Sequence, residues 1–235
     1  MALLNTLETQ IDNTLSINWE ERNGTVVPET DSIALKNGAV KIEATFLYAD
    51  LAGSSKLAKI CPWQTTAKII RAYLDSCVRI IRDHGGEIRS FDGDRVMGIF
   101  KGEFQNTNAA NCARKIDYVV EEIINPKAKA KFKSIKDNDI KITHCVGIDV
   151  GDTRAVRAGV RNNNDLIWIG KAPSFAAKLS DIRKYPYSVY ISKACYLKLA
   201  TTAKKSGNDN IWISENFVFA GETHIVYKTK NMLSP

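Results

Sequence analysis

The segment EIRSFDGDRVMGIF (Glu87–Phe100) carries the clearest fold signal in the chain, because it predicts a β-hairpin. Asp92 and Gly93 separate two β-prone runs, and an Asp-Gly pair in that setting is among the strongest short-range hairpin signals. We expect Asp94 to begin the outgoing strand. A carboxylate at this place is either a turn residue or a metal ligand, and the segment alone leaves both interpretations open.

A strand and a long helix are predicted before the hairpin. Residues 40–53 (VKIEATFLYADLAG) become apolar toward their end, as expected of a strand that enters a core. Residues 54–86 follow, and their second half has apolar side chains at helical spacing. We expect Pro62 to break this helix and Gly85-Gly86 to end it.

The elements after the hairpin complete a recognisable order. We predict a second helix, a strand–turn–strand unit, another strand, a short helix, a strand and a closing strand, at residues 106–124, 140–160, 165–170, 172–182, 188–192 and 217–229. The order β-α-β-β-α-β with additions predicts an α/β (α+β) sandwich of the ferredoxin-like type. The main domain is expected to span residues 41–235.

The first 40 residues are predicted to form an N-terminal extension that packs on the main domain or on a partner subunit. Leu3, Leu7 and Ile11 lie at helical spacing within a short amphipathic helix. The segment after it is irregular, with Gly24 and Pro28 among its breakers.

Composition bounds the cellular setting and the partners. The 235 residues are 44% hydrophobic and 25% charged, which is ordinary for a globular protein. The net charge of +7 is spread along the chain, so we expect no nucleic-acid partner. No long apolar stretch or signal peptide is present, so we expect a cytoplasmic protein without direct membrane insertion. Five scattered cysteines without a CxxC pair predict buried free thiols.

A second acidic residue gives Asp94 a candidate partner. Asp50 lies within the apolar strand end FLYADLAGSS (Phe46–Ser55), where a lone carboxylate is costly unless it is paired or binds a cation. The strand–helix–hairpin topology allows both aspartates to meet at one edge of the sheet. Two such carboxylates suit a pair of Mg²⁺ or Mn²⁺ ions that bridge a polyphosphate.

The loop after Asp50 has features of a phosphate site. Gly53 permits a close backbone approach, and Ser54 or Ser55 is expected to cap the next helix. Free N–H groups at that helix start would hold phosphate oxygens.

Taken in order and spacing, FLYADLAGSSKLA, IRSFDGDRVMGIF, HCVGIDVG and IWIGKAPSFAAKL resemble the class III nucleotidyl cyclase domain. The resemblance extends from about Lys41 to Lys228. It implies metal ligation by Asp50, Asp94 and the backbone carbonyl of Leu51. It also implies two divalent ions (Mn²⁺ or Mg²⁺), a nucleoside triphosphate substrate, and in-line attack of the ribose 3′-oxygen on the α-phosphorus with loss of pyrophosphate.

The resemblance further implies a head-to-tail homodimer with active sites at the subunit interface. One chain would supply the metal aspartates and the other the base-binding and transition-state residues. The transition-state Asn and Arg of the family fall on Ser174 and Lys178 here, and the i,i+4 spacing keeps both on one helix face. Lysine supplies a cation without the bidentate fork of arginine.

Departures from the purine cyclases concern the base. The base-reading Lys of the family falls on Ser90, and the polar reader in the strand before Trp-Gly falls on Leu166 or Ile167. A site that hydrogen-bonds one base edge rejects bases without the match, so losing both readers disfavours adenine and guanine read in the usual way.

Short length, altered base readers and the YADLAGSS motif resemble most the pyrimidine cyclases of the Pycsar antiphage system. This implies cyclic UMP or cyclic CMP as a second messenger for a separate effector protein, with UTP favoured over CTP. Tyr48 shares a strand face with Asp50 and is a candidate base or ribose contact. Arg154 and Arg157 are candidate triphosphate contacts. An adenylate cyclase with atypical base contacts and a degenerate, nucleotide-binding cyclase domain remain as alternatives.

Overall fold

The computed structural model describes residues 2–235, and these form two compact units. The smaller unit joins the residues up to Ile42 to the segment Asp152–Gly170. The larger unit comprises Glu43–Gly151 and Lys171–Pro235 and holds most of the core. The division into an extension (1–40) and a catalytic domain (41–235) stays a prediction.

The elements follow one another in a mixed order of helices and strands. The helices are α1 (Ala2–Leu15), α2 (Ser54–Ile60), α3 (Trp63–Asp83), α4 (Gln105–Tyr118), α5 (Asn125–Lys131), α6 (Lys133–Asp137), α7 (Lys171–Ser180), α8 (Lys193–Leu197) and α9 (Thr201–Lys204), with a 3₁₀ turn at Thr30–Ser32 and a π-helical turn at Val119–Ile124. The strands are β1 (Glu20–Asn23), β2 (Gly38–Ala52), β3 (Glu87–Asp92), β4 (Arg95–Phe100), β5 (Thr143–Val160), β6 (Asn163–Ile169), β7 (Val189–Ser192), β8 (Lys205–Ser206), β9 (Asp209–Asn210), β10 (Ile213–Phe219) and β11 (Glu222–Thr229).

The larger unit is organised by a sheet with the strand order β10-β11-β7-β5-β2-β4-β3. β4 is antiparallel to both β2 and β3, whereas β7 runs parallel to β5. Helices α3 and α4 pack against this sheet through fully buried side chains such as Tyr73, Ile81 and Ile116. The sheet with its packed helices confirms the predicted α/β fold.

The smaller unit contains α1, β1 and β6. β1 pairs in parallel with the start of β2, and β6 pairs antiparallel with the end of β5. The predicted N-terminal helix forms, and none of its described residues is buried. Its apolar face is open, with Leu3 71% exposed.

Helix α7 lies very close to β5 because the strand carries a glycine at the crossing. A Cβ atom built on Gly147 would lie 2.1 Å from the Ala176 carbonyl oxygen and 2.4 Å from the Ser180 nitrogen. Phe175 and Leu179 of α7 are buried in the core cluster beneath the helix. Gly147 therefore sets the distance between α7 and the sheet.

Two predicted elements are wrong in their boundaries. The strand–turn–strand expected at residues 140–160 is one continuous strand, β5, because its backbone pairs first with β7 and then with β6 and needs no turn. The single closing strand expected at residues 217–229 is a hairpin, because Ala220 and Gly221 both adopt positive φ and make a two-residue turn.

Three smaller expectations have mixed outcomes. Pro62 does separate α2 from α3, and all five cysteines are free and buried, as predicted. Asp94 does not begin a strand: Asp92 pairs with Arg95, so Gly93 and Asp94 form the turn. Within residues 2–235 no helix is both long and apolar enough to cross a membrane.

Candidate active site

The end of β2 and the tip of the β3–β4 hairpin lie side by side. Asp50 is opposite Arg95 in the β2–β4 register, and the Leu51 nitrogen donates a hydrogen bond to the Asp94 carbonyl oxygen at 3.4 Å. The three predicted metal-ligating residues, Asp50, Leu51 and Asp94, are therefore neighbours, as the topology led us to expect.

Besides burial, the charge of Asp94 is one of the influences on the pKa of the Asp50 carboxyl. Burial raises the pKa of the Asp50 carboxyl, the Arg183 guanidinium that donates to it acts in the opposite direction, and the charge of Asp94 raises the pKa further. The Oδ2 atom of Asp94 is buried and has no hydrogen-bond partner among the described residues. A buried carboxylate oxygen without a donor is costly unless a cation binds there.

The donor atoms at this place suit a hard divalent cation. Carboxylate and carbonyl oxygens are the ligands that Mg²⁺ and Mn²⁺ prefer, and the unpartnered Asp94 oxygen is available to them. Across residues 2–235 no group of three or more His, Cys, Asp or Glu side chains could hold a metal. An ion bound by Asp50 and Asp94 must therefore complete its coordination with backbone oxygen, water and substrate phosphate, as Mg²⁺ commonly does.

Tyr48 and Ser90 lie in one cross-strand row beside the aspartates. Both residues are opposite Met97 in the β2–β4 and β3–β4 registers. Residues two apart on a strand share a face, so this row adjoins the row that contains Asp50 and Arg95. The Arg95 guanidinium lies 5.7 Å from the Tyr48 ring centroid. The phenol is therefore next to the residue that lies opposite Asp50 and pairs with Asp92.

Tyr48 keeps its proton in this environment. Burial raises the pKa of the Tyr48 hydroxyl, the Arg95 charge lowers it, and Asp92 raises it. The net direction is upward from 10.0, so the phenol is neutral at physiological pH and can both donate and accept a hydrogen bond.

The loop after β2 differs in one detail from its prediction. Gly53 itself is the N-cap of α2 at a φ of 73°, a left-handed conformation that glycine adopts without strain. Ser54 begins the helix, and no side chain caps it, so the predicted serine cap is wrong. A Cβ at Gly53 would meet nothing within 4 Å, which leaves the backbone of this loop open to a ligand.

Helix α7 presents Ser174 and Lys178 on its exposed face, one turn apart as predicted. The Lys178 ammonium pairs with Asp181 at 3.2 Å, and Asp181 pairs in turn with Arg95 at 3.5 Å. Arg95 completes the series with Asp92 at 2.8 Å. A chain of alternating charges thus links the predicted transition-state lysine to the hairpin that carries Asp94.

The remaining predicted residues belong to the smaller unit. Arg154 donates through Nε to Glu21 at 2.5 Å, and Arg157 pairs with Asp31 at 2.9 Å. Leu166 and Ile167 are adjacent on β6, and Ile167 is exposed. Each arginine therefore already has an acidic partner within its own unit.

Sequence reasoning missed Arg183, whose guanidinium contacts Asp50 directly. It also missed the roles of Asp181 and Arg95 in the ionic chain. In the sequence these residues look like ordinary solvated charges, and only Arg95 had a signal, because it is adjacent to Asp94 in the hairpin.

Comparison with curated proteins finds several relatives with the same name. A uridylate cyclase from Rhodovulum sp. (strain MB263) is 38% identical over 237 residues, which covers 100% of this chain and 99% of that protein. A uridylate cyclase from Xanthomonas perforans is 40% identical and covers 90% of each chain. No family model matches the sequence.

Solved structures with a similar fold include adenylyl and guanylyl cyclases. A bacterial light-regulated adenylyl cyclase aligns with a TM-score of 0.69 at 20% identity over 85% of this chain and 54% of that one. A guanylyl cyclase aligns with a TM-score of 0.67 at 15% identity over 83% of this chain and 95% of that one. The fold of this chain is that of the class III cyclases, and the chain belongs to the family of its relatives named uridylate cyclase.

Proposed function

We propose that this cyclase converts UTP to 3′,5′-cyclic UMP and pyrophosphate, with CTP as the alternative substrate. The cross-strand row of Tyr48 and Ser90 is the observation that carries the proposal, and in the proposed head-to-tail dimer this row would serve the site whose metal aspartates come from the other chain. It replaces a charged purine reader with a small hydroxyl and a neutral phenol at the predicted base-contact positions. The name of the curated relatives supports the same substrate.

Each residue has a role in the proposed reaction. Asp50 and Asp94 would hold the divalent ions, which when bound would lower the pKa of the ribose 3′-hydroxyl and neutralise the leaving phosphates. Tyr48, neutral and half-buried, hydrogen-bonds the base or ribose and orients the nucleotide. The open backbone at Gly53 approaches the phosphates, and the Lys178 ammonium stabilises charge on the α-phosphate.

Substrate identity is tested with purified protein, Mn²⁺ and each of the four nucleoside triphosphates in separate reactions, with products resolved by chromatography. We expect cyclic UMP as the main product. Cyclic AMP as sole product would establish the adenylate cyclase alternative. Nucleotide binding without turnover in any of the four reactions would establish the degenerate domain.

The metal assignment is tested by two matched substitutions in one hairpin. Asp94→Asn removes the charge of the proposed ligand and should lower activity by about 100-fold or more. Asp92→Asn removes a charge that is 78% exposed and pairs with Arg95, and should keep most of the activity. Equal losses in the two variants would contradict the assignment of Asp94.

The shared site is tested by mixing two inactive variants. In a head-to-tail homodimer of Asp94→Asn with Lys178→Ala, one of the two sites keeps both residues, so random mixing should restore about a quarter of wild-type activity. No restoration would place Asp94 and Lys178 of one chain in the same site.

We further propose that the product is a second messenger in antiphage defence, made in the cytoplasm and acting on a separate effector protein. The YADLAGSS resemblance to the Pycsar cyclases supports this role. Cyclic UMP measured in phage-infected cells should rise with the wild-type gene and not with Asp94→Asn. Equal levels before and after infection would contradict a defence role.

A further inference from the structure

Arg183 pairs with Asp50, the carboxylate that is proposed to bind the metal ions. It follows the turn after α7, and its Nη2 atom donates to the Asp50 carboxylate. Its Nη1 atom donates to the carbonyl oxygens of Ser180 and Ile182, so the guanidinium is anchored to the end of α7. Asp50 is therefore paired with a protein cation in this structure.

Two cations cannot share this carboxylate equally. A divalent ion on Asp50 would repel the guanidinium, which then needs another anion to avoid an unpaired charge in a partly buried place. Arg183 is 40% exposed, so its guanidinium can leave Asp50 if an anion or water replaces the carbonyl oxygens of Ser180 and Ile182 as its hydrogen-bond acceptors.

A cavity of about 510 Å³ lies on the side of Arg183 that faces the loop after β2. Its lining includes Gly53, Lys56, Lys141 and Arg183, and its one lining acid is Asp139.

Some of the charged residues that line this cavity have ion-pair partners and one has none within residues 2–235. Asp139 is neutralised by Lys129 at 2.7 Å, and Lys141 by Glu121 at 2.8 Å. Lys56 is exposed, and the structure gives it no ion pair within residues 2–235. Lys56 therefore leaves the cavity with positive charge, next to a loop whose backbone is open, and Arg183 would add a second positive charge if it left Asp50.

We propose that Arg183 is a phosphate-binding residue of this cyclase, which exchanges the Asp50 carboxylate for the β- and γ-phosphates when the divalent ions bind. Lys56 supplies the second cation of this polyphosphate subsite. The proposal rests on the proposed function for the identity of the nucleotide but not for the subsite, because pyrophosphate is released by the reaction of any class III cyclase. Arginine suits the role because its planar fork binds two phosphate oxygens at once.

Two binding measurements on purified protein test the exchange without relying on turnover. Pyrophosphate binding in excess Mn²⁺ is measured by calorimetry, and we expect Arg183→Gln to weaken it by about 10-fold or more. Mn²⁺ binding without phosphate is measured by electron paramagnetic resonance, and there we expect Arg183→Gln to bind tighter than wild type, since the competing cation on Asp50 is gone. In both measurements the affinity of Arg183→Lys should lie between those of the wild type and Arg183→Gln.

The neighbouring Lys184→Gln is the matched control, because Lys184 pairs with Glu215 and does not line the cavity. It should leave both affinities unchanged. Pyrophosphate affinity in Arg183→Gln equal to wild type would overturn the proposal. Weakening of Mn²⁺ and pyrophosphate together in both Arg183 variants would also overturn it, because that result indicates a structural role.

The outcome is separable from that of the proposed function. If the wild-type protein makes a cyclic nucleotide other than cyclic UMP while Arg183→Gln shows the opposite shifts in affinity, the substrate proposal is wrong and the subsite stands. If cyclic UMP forms and the affinities do not shift, the subsite proposal is wrong and the function stands.

Discussion

Gly147→Ala should damage both stability and catalysis, because it forces α7 away from β5. The added Cβ would lie 2.1 Å from the Ala176 carbonyl oxygen and 2.7 Å from the Leu179 Cβ, where ordinary contact begins at 3.4 Å. The helix must retreat by about 1.3 Å to relieve the shortest contact. Backbone atoms cannot rotate out of the way as a flexible side chain does.

The expected loss of stability lies at the upper end of the range for overpacked cores, about 3 kcal/mol. For a chain of this length that lowers the melting temperature by roughly 6–12 °C. Since α7 carries Lys178 and ends near Arg183, a displacement of this size should also lower turnover by about 100-fold. Urea unfolding and cyclic nucleotide production, measured at a temperature where the variant is folded, check the two effects.

Gly151→Ala is the matched control on the same strand. Its Cβ would lie 3.6 Å from the Ala172 Cβ, which is an ordinary contact with the same helix. We expect a change of less than about 0.5 kcal/mol and nearly normal turnover. If Gly147→Ala is as stable and as active as Gly151→Ala, the close packing of α7 on β5 does not position the site.

Three further predictions concern the rest of the larger unit. Burial raises the pKa of the Cys77 thiol to about 12, so a disulfide reagent at pH 8 should label the native protein at least about 100-fold more slowly than the unfolded chain, and rapid labelling of any native thiol would contradict the burial of all five. Asn125→Asp should lower the free energy of unfolding in urea by about 3 kcal/mol. The Asn125 amide donates to the carbonyl oxygens of Val120 and Ile142, at 3.0 and 2.9 Å, and a carboxylate could only accept there. Asn125→Ala should cost less, because it places no acceptor against those oxygens. Arg114→Met keeps an apolar stem but removes the bond from Nε to the Asn231 carbonyl oxygen at 3.0 Å, so it should lower the melting temperature by a few degrees and free the C-terminal residues to proteolysis.

Sequence reasoning predicted the elements that local patterns encode. The Asp-Gly hairpin, the break at Pro62 and the helical face of residues 63–83 all depend on residues within one or two turns of each other. The proximity of Asp50 and Asp94 followed from topology, because a strand, a helix and an antiparallel hairpin return the chain to the same sheet edge. The predicted turn within β5 is wrong because the pairing of this strand, first with β7 and then with β6, depends on partner strands that local patterns do not reveal.

The ion pairs could not be predicted in the same way. Arg183 and Asp50 are 133 residues apart, and Asp181, which follows α7, is likewise far in sequence from its partner Arg95. Nothing in the local sequence distinguishes these charges from the many exposed lysines and arginines of a chain with net charge +7. Their partners depend on the three-dimensional packing of elements that are distant in sequence.

The charge balance of the site has a consequence for how substrate binds. In this structure Arg183 pairs with Asp50, Arg95 pairs with both Asp92 and Asp181, and the buried Asp94 Oδ2 has no hydrogen-bond partner among the described residues. A divalent ion alone would have to displace the Arg183 guanidinium from Asp50, and a triphosphate alone would find that guanidinium engaged, with only Lys56 open to it. If metal and triphosphate bind together, the metal would pair with the carboxylates and the phosphates would pair with the released Arg183 guanidinium. No charge would then be left unpaired. Metal and triphosphate should therefore bind with positive coupling, and by thermodynamic linkage each should raise the affinity of the other by the same factor.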